Sequence, residues 1–394
     1  MPASPAVVSV RMGQLPQPTP QRVSSRRVTA RPCAAANRKH SLRAGEYGRI
    51  GKLSRDARGL LYGCGAAFRN GGKGMRISFL MCLVVLLLAR PKTHADYSGF
   101  HVDGRHLYDP CGNKVVLRGV NKMVVWNDID CAPSCSEIAQ SGTNCLRIVW
   151  TTDTWHTSAN LDTIIARCAS EDMIPMPELH GFSHLSELDQ AVAYWTRSDV
   201  LEVISRHEDY LIINIANEVG EGHQDTTEFK NAYAAAVTEL RNAGIHVPLV
   251  IDADYWGLGI DILQTCGPYL TEQDPDHNLL FSAHPYWSVY TVGEYRASQE
   301  GINAELDECV LLDLPVILGE LCAYSLNSTI PEECEQGVDY LHLIKAAHER
   351  EIGWLAWSWG NGNNPCTQMD MTTDGTFETL HGWGREVAVD DTYS

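Results

Sequence analysis

Beyond residue 74 the chain has little positive charge: 17 Lys and Arg stand against 47 Asp and Glu, a balance of −30. So acidic a surface is repelled by phosphate backbones and anionic headgroups, which excludes nucleic acid and membrane surfaces as partners. No second pair of closely spaced cysteines accompanies Cys131-Ala-Pro-Ser-Cys135, so that spacing does not indicate zinc, and no metal is expected. A Gly-rich phosphate turn is missing as well. The first apolar strand runs instead into Arg118-Gly-Val-Asn121, which argues against an open doubly wound nucleotide-binding sheet. The prominent apolar run, Ile77 to Ala89, is shorter than the roughly 20 residues a membrane span needs.

What is present divides the chain. Residues 1–74 hold 14 Lys and Arg and two acids, with no hydrophobic periodicity, and read as a basic extension or a start codon placed too early. Residues 75–95, MRISFLMCLVVLLLARPKTHA, have a basic start, an apolar middle and small residues before Asp96. That is the anatomy of a secretory signal peptide, so a secreted protein beginning near Asp96 is expected. Residues 96–394 then form the folded domain, expected to act as a monomer. Its ten cysteines behind a signal peptide suggest disulfides, with Cys322–Cys334 a plausible local pair. Asn327-Ser328-Thr329 is a glycosylation sequon.

From Phe100 the chain reads as a short β-hairpin with turns at Asp103-Gly104 and Gly112-Asn113. Eight short apolar runs follow, near 115–120, 145–150, 174–179, 211–216, 249–253, 279–283, 316–318 and 353–357. Stretches of helical spacing separate them, such as 161–170, 227–243 and 337–351. Strands apolar on both faces, alternating with helices, imply a parallel sheet wrapped by helices. Eight such units predict an α/β fold, a (β/α)8 TIM barrel with a short N-terminal hairpin.

In a barrel, chemistry sits where the strands end. The ends here read Asn121, Trp150, Glu178-Leu-His180, Asn217-Glu218, Asp252-Ala-Asp254, His284-Pro-Tyr286, Gly319-Glu320 and Trp357-Ser-Trp359. A packed core asks for no such ring of polar and aromatic groups. Glu218 after strand four and Glu320 after strand seven lie across the mouth, the arrangement that glycosidic cleavage needs: one carboxyl to protonate the leaving oxygen, one to attack. Asn217 is placed to hold a sugar hydroxyl. Arg147, inside a strand buried on both faces, is expected to pair with Glu320. His180, His284 and Tyr286 are candidates to bind sugar or tune a carboxylate. Trp357 and Trp359 offer flat faces for stacking on a sugar ring, Trp357 being the better placed.

These residues carry a resemblance. Arg147 in CLRIV, Asn217-Glu218 in INIANE, His284 and Tyr286 in FSAHPY, Glu320 in VILGE and Trp357 in WLAWSW resemble the pattern of glycoside hydrolase family five of clan A. LRGVN, SGTNCLRIVW and GWLAWSWGN narrow the likeness to its bacterial-type β-mannanases, over about Phe100 to Trp383. The resemblance implies a retaining endo-β-1,4-mannanase without a cofactor, with Glu218 as acid/base and Glu320 as nucleophile. Arg147, His180, Asn217, His284, Tyr286 and Trp357 would line the subsite of the cleaved sugar. The chain departs from the pattern at Val219-Gly220-Glu221, Lys122-Met123 and Leu321-Cys322. Two further readings remain: a β-1,4-glucanase or mixed-specificity β-glycanase on the same scaffold, and a carbohydrate-binding protein without catalysis.

Overall fold

A computed structural model describes residues 99–391, apart from 154, 327–329, 331–332 and 362–363. The expected extension at 1–74, the expected signal peptide at 75–95 and the sequon at Asn327 lie outside the described residues. Among those described, no helix is long and apolar enough to cross a membrane.

Three short strands come first: β1 (His101–Asp103), β2 (His106–Tyr108) and β3 (Lys114–Val115), an antiparallel sheet in the order β1-β2-β3. The expected hairpin is its first half, with Gly104 in the turn at φ +57°. The barrel follows: β4 (Arg118–Lys122), β5 (Cys145–Trp150), β6 (Ile174–Leu179), β7 (Ile213–Asn214), β8 (Leu249–Asp252), β9 (Leu279–Ala283), β10 (Val316–Leu321) and β13 (Gly353–Ala356). All neighbours pair in parallel, and β13 closes the ring against β4. Between β10 and β13 a hairpin, β11 (Tyr324–Leu326) with β12 (Cys334–Gln336), rises on the rim. One expectation is corrected here. The first barrel strand begins at Arg118 rather than 115, because Lys114–Val115 pairs back onto β2.

Several of the helices outside the ring start on side-chain caps. Thr157 and Asn160 form a reciprocal box ahead of Ser158–Ser170, and the Asp225 carboxylate accepts from Thr227 and Glu228 N–H ahead of Thr226–Asn242. A buried ion pair ties the outer layer to the strands. Arg241 donates to both carboxylate oxygens of Asp274 at 2.9 Å each, and to the carbonyls of Ile245, Val247 and Asn278. Arg241→Leu leaves a buried carboxylate without its cation, so it should cost about 3–5 kcal/mol of unfolding free energy. The check is a urea midpoint that falls while the slope is unchanged. Adding Asp274→Leu should recover part of the loss.

Inside the ring, alternate residues point to the axis, and their character changes with height. The lower interior is apolar: Leu117, Cys145, Met176, Ile212, Val250, Leu280, Ile317 and Leu355 pack together. One pleat above Cys145, Met176, Ile212, Val250 and Leu280 stand Arg147, Glu178, Asn214, Asp252 and Ser282, with Asn121 level with Arg147, all buried. The barrel therefore has an apolar floor and a polar upper layer, which opens on the C-terminal face.

The cysteines overturn an expectation. Cys334 bonds to Cys366 across 32 residues, with Cα atoms 5.4 Å apart, a span that suits a disulfide. Cys322, proposed as its partner, is a buried thiol directly after β10. The bond follows proximity in space: it joins the hairpin after β10 to the loop after β13, and both lie on the rim. Cys131, Cys135, Cys145, Cys168, Cys266 and Cys309 are also buried thiols, most of them filling core space as small apolar groups, so the expectation that most of the ten cysteines are bridged is not met among the described residues.

Candidate active site

Two local distortions aim the glutamates. Along β10, Ile317 faces the axis, so strict alternation would turn Glu320 outward. The pairing with β13 shifts between Leu318 and Leu321, one extra residue that reverses parity and brings Glu320 inward. Gly319 is required beside it, since a Cβ there would sit 2.1 Å from Ser282 Oγ. Past β7, Glu218 adopts φ +48°, a left-handed conformation uncommon for a residue with a Cβ. Asp252 supports that turn by accepting the Glu218 N–H at 3.2 Å.

Arg147 organises the polar layer. It donates to Glu320 Oε1 at 2.7 Å, Asn217 Oδ1 at 2.8 Å, Asn214 Oδ1 at 2.8 Å, Asn121 Oδ1 at 3.0 Å and Asp252 Oδ2 at 3.2 Å. Burial alone would lower its affinity for a proton, but the surrounding charges of Glu178, Glu320, Asp252 and Glu218 raise it, so it is a permanent cation. The Tyr286 hydroxyl donates to the other oxygen of Glu320 at 2.7 Å. His284 Nδ1 donates to Glu218 Oε1 at 2.6 Å and lies 3.6 Å from Glu320 Oε1. One oxygen of each glutamate and a ring nitrogen of His284 all lie within 4.8 Å of one another.

Burial raises the carboxyl of Glu320, reinforced by the charge of Glu218 and opposed by His284 and Arg147. In Glu218 burial is outweighed by the His284 hydrogen bond and charge, which lower it. Burial would lower His284, yet the charges of Glu320, Asp252 and Glu218 push it up to about 9. Groups this close titrate as one set, and the short His284–Glu218 bond holds a single proton between them.

The cleft above has a volume of about 600 Å³ and is lined by Glu218, Glu320, Asn217, Tyr286, His180 and Trp357 among others. His180 donates to Glu178 Oε1 at 3.0 Å and stacks on Trp357 at 6.2 Å, with 15° between the planes. Trp357 in turn donates to Asn364 Oδ1 at 2.7 Å, which fixes its ring. Eight of the nine expected residues therefore meet at one site. Trp359 does not: it is fully buried, and its indole donates to the Gly375 carbonyl at 2.9 Å, behind the wall. The strand ends at Ala356, so the alternation that would keep it beside Trp357 no longer holds.

Other contributors had no assigned role. Trp126 and Trp256 line the cleft with about half of their surface exposed, at 55% and 50%, as platforms on its rim. Their signal in sequence was an aromatic a few residues past a strand end. Asp252 and Glu178 were visible at strand ends, but their partner, Arg147, comes from a different strand.

A parallel eight-stranded barrel with paired glutamates at its C-terminal mouth defines a glycoside hydrolase by class. The family described as Cellulase (glycosyl hydrolase family 5) matches residues 108–363, and the chain belongs to glycoside hydrolase family 5. It is similar to the mannan endo-1,4-beta-mannosidase of Salipaludibacillus agaradhaerens, 29% identical over 296 residues, covering 74% of this chain and 91% of that protein. The mannan endo-1,4-beta-mannosidase of Cellvibrio japonicus (strain Ueda107) is 27% identical, covering 73% of this chain and 65% of its own. Among solved structures, the beta-mannanase of Streptomyces thermolilacinus with mannohexaose superposes at a TM-score of 0.64 with 30% identity, covering 74% of this chain and 94% of that one.

Proposed function

We propose that this enzyme is a secreted, retaining endo-β-1,4-mannanase in which Glu320 attacks the anomeric carbon and Glu218 serves as acid, then base. The observation that carries the reading is the grip on Glu320. Both of its oxygens are held by donors, Arg147 and Tyr286, that favour an ionised attacking group, while Glu218 shares a proton with His284. In the resting site the charge balance runs the other way, raising Glu320 and lowering Glu218. We assign the roles from the hydrogen bonds, which hold both oxygens of Glu320, and take the proton shared by Glu218 and His284 as the one passed to the leaving oxygen. Carboxyl oxygens within 4.8 Å favour direct attack, since an inverting site leaves room for a water between wider-set carboxyls.

The first step forms a glycosyl ester at Glu320 as Glu218 protonates the departing oxygen. In the second, Glu218 takes a proton from water, which displaces Glu320 and restores the starting configuration. Asn217, with its oxygen committed to Arg147, offers its amide N–H to the sugar 2-hydroxyl. Trp357 supplies the flat floor. No step calls for a cofactor.

Mannan as substrate is supported by the relatives, which are named for it. A glucan reading has one observation in its favour: a protein named Beta-mannanase/endoglucanase A, from Caldicellulosiruptor saccharolyticus, is 28% identical over 199 residues, half of this chain but only 14% of its own length. Reducing-sugar release from mannan, glucomannan and carboxymethyl-cellulose, measured side by side, separates the readings. Mannan and glucomannan should be cleaved and carboxymethyl-cellulose scarcely. Equal cleavage of all three would establish the mixed specificity, and none at all the non-catalytic reading.

The pH dependence follows from His284. With its proton held to about 9, against 6.5 in the unfolded chain, its stabilising contribution is complete below pH 6.5 and lost as pH rises through about 9. The proton shared with Glu218 goes on the same limb. kcat/KM on polysaccharide should therefore fall tenfold per pH unit above about pH 9, alongside a declining Tm.

A further inference from the structure

We propose that Cys131 and Cys135 close as a second disulfide, a clip that fixes the wall of the cleft formed by Met123 and Trp126. The two sulfurs lie 2.7 Å apart, nearer than unbonded sulfurs pack, and both residues are fully buried. Among the seven described thiols they are the pair in mutual contact; Cys168 and Cys266 face the carbonyls of Met173 and Thr226 instead.

The backbone is shaped to bring them together. The Cys131 N–H donates to the Asp128 carbonyl at 2.8 Å, and Ala132 N–H to the Asp128 carboxylate at 3.1 Å. Cys131 then takes φ +52°, a left-handed turn rarely adopted by a residue with a Cβ. The Cys135 N–H donates to the Cys131 carbonyl at 3.2 Å, so one turn of chain returns upon itself. The left-handed conformation is retained because the surroundings over-determine it, and the sulfur contact is part of those surroundings.

The chemistry balances with a low-molecular-weight disulfide as oxidant. The Cys135 thiolate attacks one sulfur of that reagent and its S–S bond breaks, releasing the first small thiol. The Cys131 thiolate then attacks Cys135 Sγ and expels the second. Two protons pass from the protein thiols to the leaving groups, the cysteines are oxidised and the reagent reduced. Closure belongs to folding, before burial seals the pair. The chain carries Cys334–Cys366, so it matures where such exchange proceeds.

The consequence lies in the cleft. Met123 and Trp126 line it, Trp126 meets His180 edge-on at 5.9 Å, and the same segment runs directly into Cys131. On the adjoining stretch of rim, Cys334–Cys366 ties the hairpin bearing Ser325 and Leu326 to the loop bearing Asn364 and Pro365, four more lining residues. Each of these adjoining lining segments is then covalently tied.

Tryptic digestion tests the bond directly, because no Lys or Arg interrupts residues 123–147, which contain Cys131, Cys135 and Cys145. Protein purified without reductant, denatured and alkylated, should give this peptide with one alkyl group, on Cys145, and three after reduction. Three alkyl groups before reduction would overturn the proposal. The double variant Cys131→Ser/Cys135→Ser should raise KM for a soluble polysaccharide by about three- to tenfold while kcat holds, the signature of lost uniform binding. An unchanged KM in a folded variant would refute the clip's role in the cleft, whatever the peptide shows.

Discussion

Glu320→Ala should lose about 10⁵-fold or more in kcat on every glycoside, whatever its leaving group. The reason is that no other carboxylate can reach the anomeric carbon. Asp252 and Glu178 are committed to Arg147 below the floor of the cleft and are fully buried. The variant should remain folded, because Arg147 keeps Asp252 as a counter-ion and loses only one of several acceptors. Initial rates on mannan and on an aryl glycoside check the loss, and a melting curve checks the fold. Added azide sharpens the result: the small anion occupies the space of the missing carboxylate and should give a glycosyl azide of inverted configuration from an activated substrate. A folded Glu320→Ala that keeps even a hundredth of native activity would remove Glu320 from the mechanism.

Much of this was legible in the sequence, for a physical reason. Parallel barrel strands are apolar on both faces, so any charged residue within one is conspicuous, and Arg147 in CLRIV announces itself. The strand ends showed the rest as polar or aromatic residues where a core would refuse them. What escaped depended on register. The β10 irregularity that turns Glu320 inward has no sequence signal beyond the glycine before it. Counting alternation along WLAWSW places Trp357 and Trp359 on one side, yet the chain leaves the strand at Ala356 and buries the second ring. The disulfide was misread because loop length favours Cys322 as mate to Cys334, while the fold presents Cys366. Partners drawn from non-adjacent strands, such as Asp252 for Arg147, are set by the closure of the ring, which no local pattern encodes.

The last expectation separates the second glutamate from the first by its leaving-group dependence. Glu218→Ala should slow polysaccharide cleavage by about 10²–10⁴-fold, the usual worth of a positioned general acid. An aryl glycoside with an acidic phenol departs without a proton, so its first step should be nearly spared. The glycosyl ester at Glu320 then waits for a base that is gone, giving a burst of phenol followed by slow turnover. Azide needs no deprotonation and should restore turnover by entering the space that Glu218 vacates beside His284. Because it displaces the ester from the face the leaving group departed, the product should be a glycosyl azide of retained configuration. His284 loses its hydrogen-bond acceptor in this variant and the carboxylate that helps hold its proton, so the alkaline limb should move below pH 9. Burst amplitude, azide stereochemistry and the shifted limb are three independent readings of one assignment. An azide product of inverted configuration would exchange the roles of Glu218 and Glu320.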